Sequence, residues 1–79
     1  MIKIGDTFKA DGNEWKVTEI DDMEGITLEY DCFSINVCTC DKQVYAYEQL
    51  KNGEWQQALW SFTFAEIKMV AEIIDRVTS

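Results

Sequence analysis

The chain has no histidine and no proline among its 79 residues, and only seven of them are basic. Without histidine the commonest general acid or base is missing, and a nucleophile, base and orienting residue cannot form their usual triad. The four glycines, at positions 5, 12, 25 and 53, are spaced as turn residues and form no phosphate-binding loop. We therefore expect a protein that is not an enzyme and needs no cofactor.

Long apolar runs are also missing. The opening segment 1–6 lacks the basic and apolar regions of a signal peptide, and no stretch approaches the length of a membrane span. Three cysteines, an odd number, cannot form a complete disulfide framework. Reduced cysteines are typical of the cytosol, so a cytoplasmic protein is expected.

The cysteines Cys32, Cys38 and Cys40 have the spacing Cys-x5-Cys-x-Cys. Structural zinc takes four ligands, usually from Cys-x2-Cys pairs, and this set lacks both the spacing and a fourth soft ligand. Small, partly buried apolar side chains in a fourth strand are the favoured interpretation, and no metal is expected. A metal-binding or redox module built on Cys38 and Cys40 is kept as one functional alternative, beside the two given at the end of this section.

Acids dominate the charge, fifteen against seven bases, for a net charge of −8. Nucleic acid and anionic membranes attract basic proteins, so direct binding to either is disfavoured. A protein with a basic surface is the partner that this charge favours. Between Lys16 and Lys42 there is no base, and seven acids occur: Glu19, Asp21, Asp22, Glu24, Glu29, Asp31 and Asp41.

Alternating apolar residues separated by turn signals predict an antiparallel β-meander of five to six strands over about residues 2–62. The first hairpin turns at Asp11-Gly12-Asn13, and later turns are predicted at 22–25 and 41–42. Asn52-Gly53 predicts a two-residue turn before a last strand over 54–62. The register of that turn gives these pairs: Leu50 with Trp55, Tyr47 with Ala58 and Tyr45 with Trp60.

The second strand needs a β-bulge. Val17 and Ile20 have opposite parity, so a flat strand cannot bury both. An extra residue near Thr18-Glu19 shifts the register by one and removes the conflict. The expected pairs are then Ile20 with Ile26, Val17 with Leu28, Trp15 with Tyr30 and Lys16 with Glu29. The apolar pairs are expected to face inward and the charged pair to face solvent.

A helix is predicted over about residues 63–78. Thr63 and Glu66 have the spacing of a capping box, with Phe62 and Ile67 as its hydrophobic staple. The stripe expected to face the sheet is Phe64, Ile67, Val70, Ala71, Ile74 and Val77. Met69 and Ile73 are expected at its rim. A run of strands followed by one helix is typical of a single α+β domain, here an open meander or a curled, partly open barrel.

The segments Ile4-Gly5-Asp6-Thr7-Phe8 and Gly12-Asn13-Glu14-Trp15-Lys16-Val17 resemble the start of an SH3-like small barrel. That resemblance covers only the first strands and implies a fold without implying a function. Size, charge and the acidic run from Glu19 to Asp41 are similar to those of small inhibitors that phages encode against bacterial defences, the anti-CRISPR type. What this second resemblance implies is that acids imitating a phosphate backbone occupy a nucleic-acid-binding groove on a partner such as a Cas effector.

The expected partner-binding residues are Asp21, Asp22, Glu24, Glu29 and Asp31, with Trp55 as an apolar anchor. The acids are expected to form one continuous strip beside the second and third strands. The alternative is a non-enzymatic accessory or homodimerisation domain of phage or bacterial origin. In that case Met69 and Ile73, or the edge of the meander, form the dimer contact.

Overall fold

A computed structural model describes residues 2–41 and 43–78 of the chain. Its elements are β1 (Thr7–Ala10), β2 (Asn13–Asp21), β3 (Gly25–Tyr30), β4 (Phe33–Cys38), β5 (Gln43–Gln49), β6 (Trp55–Gln57) and α1 (Phe64–Thr78). The strands form one antiparallel sheet in chain order, with β1 and β6 as its two edges. The predicted α+β class and the meander are confirmed, and the sheet of the described residues is open and does not close into a barrel.

The bulge in β2 lies where the sequence predicts it, because the register with β3 shifts between Val17 and Glu19. Three of the four predicted pairs are present in the register: Ile20 with Ile26, Val17 with Leu28 and Lys16 with Glu29. The residues of the fourth, Trp15 and Tyr30, are in contact through rings whose centroids are 5.5 Å apart. The expected burial of Ile20 is wrong, since its side chain is 41% exposed. It lies one residue before the end of β2, beside the exposed turn that follows.

The last hairpin has a different register from the predicted one. Gln49 pairs with Trp55 and Tyr47 with Gln57, so the pairing is shifted by one residue. A two-residue turn of the favoured type needs positive φ at both central residues, and here only Gly53 has it, at 88°. The loop therefore takes one more residue and closes with the Leu50 N–H donating to the Glu54 carbonyl at 2.7 Å. The strand predicted over 54–62 ends at Gln57.

The core lies between one face of the sheet and α1. Its most deeply buried large side chains are Val17, Leu28, Ile35, Val37 and Ile73. Each of them gains about 1.5–3 kcal/mol from leaving water. The opposite sheet face, called the outer face below, carries the alternate residues of the same strands, such as Lys16 and Glu29.

The predicted orientation of α1 is wrong. The buried residues are Met69, Val70 and Ile73, whereas Phe64 is 87% exposed and Ile67 is 52% exposed. The two residues expected at the rim are thus core residues, and they cannot form a homodimer contact. Of the predicted stripe only Val70 is buried. At 3.6 residues per turn, Ala71 lies about 160° around the helix from Met69, so the rest of the stripe points away from the sheet.

The first turn of α1 explains this orientation. The predicted capping box is present: the Glu66 N–H donates to Thr63 Oγ1 at 3.1 Å, and the Thr63 N–H donates to Glu66 Oε1 at 2.9 Å. The Thr63 hydroxyl also donates to the carboxylate of Asp11 in the β1–β2 turn. This contact between distant segments sets the start of the helix against β1, a constraint that helical periodicity cannot reveal.

Across residues 2–41 and 43–78, no helix combines the length and apolar character that crossing a membrane requires.

Candidate functional site

Three of the predicted partner-binding acids lie together on the β2–β3 turn. Asp21, Asp22 and Glu24 are all exposed there. Asp21 Oδ1 accepts hydrogen bonds from the backbone N–H of Glu24 at 2.8 Å and of Met23 at 2.7 Å. Because these donors stabilise the charged form, the Glu24 bond most strongly, they lower the pKa of Asp21 below its ordinary value.

The β4–β5 turn brings Asp41 to the same end of the sheet, since both turns follow strands that run in one direction. Asp41 Oδ2 accepts a 2.6 Å hydrogen bond from the Tyr45 hydroxyl. That bond, followed by one with Cys38, lowers the pKa of Asp41, and the same carboxylate raises the pKa of Tyr45. We call Asp21, Asp22, Glu24 and Asp41 the acidic turn surface.

The structure does not bring Glu29 and Asp31 into this group. Glu29 lies on the outer face in the middle of the sheet, directly opposite Lys16. Asp31 lies in the β3–β4 turn, with φ of 54°, at the other end of β3. At the rise of an extended strand, the length of β3 separates the two turns by about 17 Å. The acids therefore do not form one continuous strip. They form one cluster on the two turns, with Glu29 and Asp31 each lying apart from it.

Aromatic side chains adjoin the acidic turn surface on the outer face. The register of β5 places Tyr45 and Tyr47 on this face. The predicted anchor Trp55 lies on the same face and is 40% exposed, but it pairs with Gln49 at the opposite end of β5, so it does not adjoin the acidic turn surface. A groove of about 400 Å³ lies between the two tyrosines and Glu24. Sequence reasoning left the orientation of the tyrosines open, because their face depends on pairing with β4.

A second cavity, of about 360 Å³, lies at the opposite end of the sheet, beside the start of α1. Its aromatic walls are Trp15, Tyr30, Phe33 and Trp60. The ring centroids are 5.5 Å apart for Trp15 and Tyr30, and 5.6 Å apart for Phe33 and Trp60. We call this the aromatic cavity.

Two carboxylates, from Asp11 and Glu66, also line the aromatic cavity. The Trp15 indole N–H is buried and has no hydrogen-bond partner within the described part of the chain. The sequence prediction assigned the aromatic residues to the core and missed this site. Alternation shows which face a residue occupies, but it does not show that segments far apart in the chain leave a space between them.

The cysteines lie at the end of β4 and in the turns on either side of it. Cys32 lies in the β3–β4 turn, Cys38 at the end of β4 and Cys40 in the β4–β5 turn, so only Cys38 lies in the strand predicted for all three. In the two described ranges, no group of three or more Cys, Asp or Glu side chains is placed to hold a metal ion.

No family model matches this chain, and neither the curated proteins nor the solved structures yield a match. The function is therefore inferred from the surfaces described above.

Proposed function

We propose that this protein is a non-enzymatic protein-binding domain whose acidic turn surface occupies a basic, nucleic-acid-binding site on a partner protein. The observation that carries this proposal is the placement of Asp21, Asp22, Glu24 and Asp41 on two adjacent turns. A Cas effector groove, as the anti-CRISPR resemblance implies, is one such site. Binding there excludes the phosphate backbone that the groove normally holds.

The protonation behaviour of the cluster supports this role. Asp21 and Asp41 both have a pKa below the ordinary value of 3.8, because each carboxylate accepts hydrogen bonds. Both side chains are therefore ionised throughout the physiological pH range. Exposed, fixed charges of one sign speed association with a surface of the opposite sign and select against acidic partners.

Apolar anchoring is supplied on the neighbouring outer face. Tyr45 and Tyr47 present large rings beside the acidic turn surface. Tyrosine and tryptophan supply much of the binding energy in protein interfaces, whereas rim charges mainly set association rates. The proposed interface thus combines a charged rim with a ring-lined centre.

The proposal is tested by capture from a host lysate on the immobilised protein, with elution by short duplex DNA. We expect basic nucleic-acid-binding proteins to be captured and released by the duplex. The triple variant Asp21→Asn, Asp22→Asn, Glu24→Gln is expected to reduce capture about tenfold.

A matched control removes the same charge at the other end of the sheet: Glu14→Gln, Asp31→Asn and Glu54→Gln. This control is expected to retain capture within about twofold, since its acids lie outside the interface. Equal loss in both triple variants would show that only net charge matters and that the turns form no site.

The outer side of α1 favours a second candidate function, homodimerisation. Phe64, Ile67, Ala71 and Ile74 form an exposed apolar stripe. The helix carries a net charge of −1, so most of the negative charge, −7, lies outside this element. An antiparallel crossing at Ala71 would bring Lys68 of each copy near Asp75 of the other.

Light scattering after size exclusion tests the second candidate. We expect a dimer at micromolar concentrations that becomes a monomer in Ile67→Lys, because a charge is then buried at the crossing. Lys51→Glu, in the β5–β6 loop, is the control and should leave the dimer intact. A monomer at all concentrations rejects this candidate and leaves the first one unaffected.

A further inference from the structure

We propose that the aromatic cavity is a binding site for an alkylammonium cation, either a free organic amine or the side chain of a basic residue. The site is independent of the acidic turn surface, which lies at the opposite end of the sheet. Two properties of the cavity lead to this ligand class, its rings and its charge, and a buried unpaired donor on one of its lining residues adds a preference within the class.

The rings supply an electron-rich lining. Trp15, Tyr30, Phe33 and Trp60 line one space, and the last three are only partly buried. Aromatic faces attract cations, tryptophan most strongly, and several rings around one alkylated ammonium group form a common recognition site for it. A neutral apolar ligand would use the same surface area without this attraction.

The charge of the lining excludes an anion. The first turn of α1 contributes about half a positive charge at its N-terminus. Asp11 and Glu66 contribute two full negative charges, so the cavity remains negative overall. Each carboxylate uses one oxygen on Thr63: Asp11 Oδ2 accepts from its hydroxyl and Glu66 Oε1 accepts from its N–H at 2.9 Å. The second oxygen of each carboxylate has no hydrogen bond within the described ranges.

The buried donor adds a preference within this class. Trp15 is 2% exposed, and its indole N–H has no partner in residues 2–41 or 43–78. A buried donor left unpaired costs about 1–3 kcal/mol, so an acceptor that reaches it gains that amount. Within this ligand class we therefore favour a cation that also carries a hydroxyl or carbonyl oxygen, which would pair with the indole N–H once the ring moves enough to expose it. Choline carries a hydroxyl close to its ammonium group, and a lysine residue within a peptide carries its carbonyl at the far end of the side chain.

The test uses choline and its neutral isostere 3,3-dimethyl-1-butanol, which has the same shape without the charge. Binding is followed by two-dimensional NMR of the full chain, reading the indole N–H signal of Trp15, which is assigned with Trp15→Phe. We expect choline to shift this signal and to bind at least about tenfold more tightly than the isostere. Equal binding of the two compounds, or no shift of this signal with choline or with the lysine peptides described below, would overturn the proposal.

Charge-removing variants locate the site. Glu66→Gln keeps the size of the side chain and is expected to weaken choline binding about fivefold or more. Asp22→Asn, in the acidic turn surface, is the matched control and should change it less than about twofold. Equal effects of the two substitutions would show non-specific attraction to an acidic protein and reject the site. Thermal unfolding of each variant verifies that it is folded.

Two further ligands distinguish the source of the cation. Tetramethylammonium represents a free organic cation. A short peptide with an acetylated N-terminus and one lysine, whose side chain is either unmodified or trimethylated, represents a protein side chain. Tighter binding of the peptide assigns the cavity to a basic residue of a partner, and tighter binding of choline assigns it to a free amine. Failure of every cation rejects the cavity as a site without affecting the proposal for the acidic turn surface.

Discussion

At the scale of residues, Gly25 is the glycine that the packing requires. A Cβ at this position would overlap the Val37 carbonyl oxygen and lie 2.8 Å from the Cys38 Cα, and φ is 92°. Gly12 also has positive φ, but a Cβ at that position would meet no atom within 4 Å. We expect Gly25→Ala to lower the free energy of unfolding by about 1–3 kcal/mol more than Gly12→Ala, measured by urea denaturation. Equal losses of unfolding free energy in the two variants would show that the cost comes from positive φ and not from the contact with Val37.

The Asp41–Tyr45 hydrogen bond makes a second prediction at this scale. Asp41 has its pKa lowered from 3.8, so the ionised carboxylate stabilises the fold above that pH, and the gain is lost as the pH falls through the lowered pKa. Tyr45 has its pKa raised from 10.0, so the neutral phenol stabilises the fold below that pH, and the gain is lost as the pH rises through the raised pKa.

Tyr45→Phe removes this bond, and the pKa of Asp41 is expected to move up toward 3.8. Carboxyl carbon NMR during an acid titration measures the change. Tyr47→Phe is the control and should leave the Asp41 titration unchanged. An unchanged pKa in Tyr45→Phe would show that this hydrogen bond does not form in solution.

At the scale of elements, α1 provides two adjacent isoleucines in opposite environments. Ile73 is fully buried, whereas Ile74 is 40% exposed. Ile73→Ala is expected to cost about 2–5 kcal/mol of stability, because it leaves a cavity in the core. Ile74→Ala should cost less than about 1 kcal/mol in the monomer. If urea denaturation instead showed the larger loss of stability for Ile74→Ala, the helix orientation predicted from the sequence would be the correct one.

The elements also show which parts of the fold a sequence determines. The β2 bulge and the capping box were predictable because each depends on residues close together in the chain: parity along one strand, or Thr63 and Glu66 three residues apart. The buried face of α1 and the register of β6 were not predictable. The first depends on tertiary contacts such as the hydrogen bond from Thr63 to Asp11, and the second depends on whether Asn52 adopts positive φ.

The same distinction applies to the candidate site. The acids of the β2–β3 turn are adjacent in sequence, so their grouping was predictable. Asp41 joins them and Asp31 does not because successive turns of a meander lie at opposite ends of the sheet, so the β2–β3 and β4–β5 turns share one end. The aromatic cavity was not predictable, since Trp15 and Trp60 reach it from segments that do not pair.

At the scale of the whole molecule, the accessible surface is larger than a compact monomer of this size requires. The accessible area is 5542 Å², against about 4,900 Å² expected for a compact monomer of this mass. The difference agrees with the exposed stripe on α1 and with the open ends of the sheet. Association of partners at the acidic turn surface should slow steeply with added salt, because exposed charges are screened. An association rate independent of salt would argue against steering by these acids.

An NMR titration of the labelled protein with a short lysine- and arginine-rich peptide tests directly whether the acidic turn surface binds a basic partner. We predict that the largest amide shifts fall on residues 21–24 and 38–41, with Tyr45 among the shifted neighbours. Shifts spread evenly over the molecule, or concentrated at Glu14, Asp31 and Glu54, would contradict an acidic binding surface on the β2–β3 and β4–β5 turns.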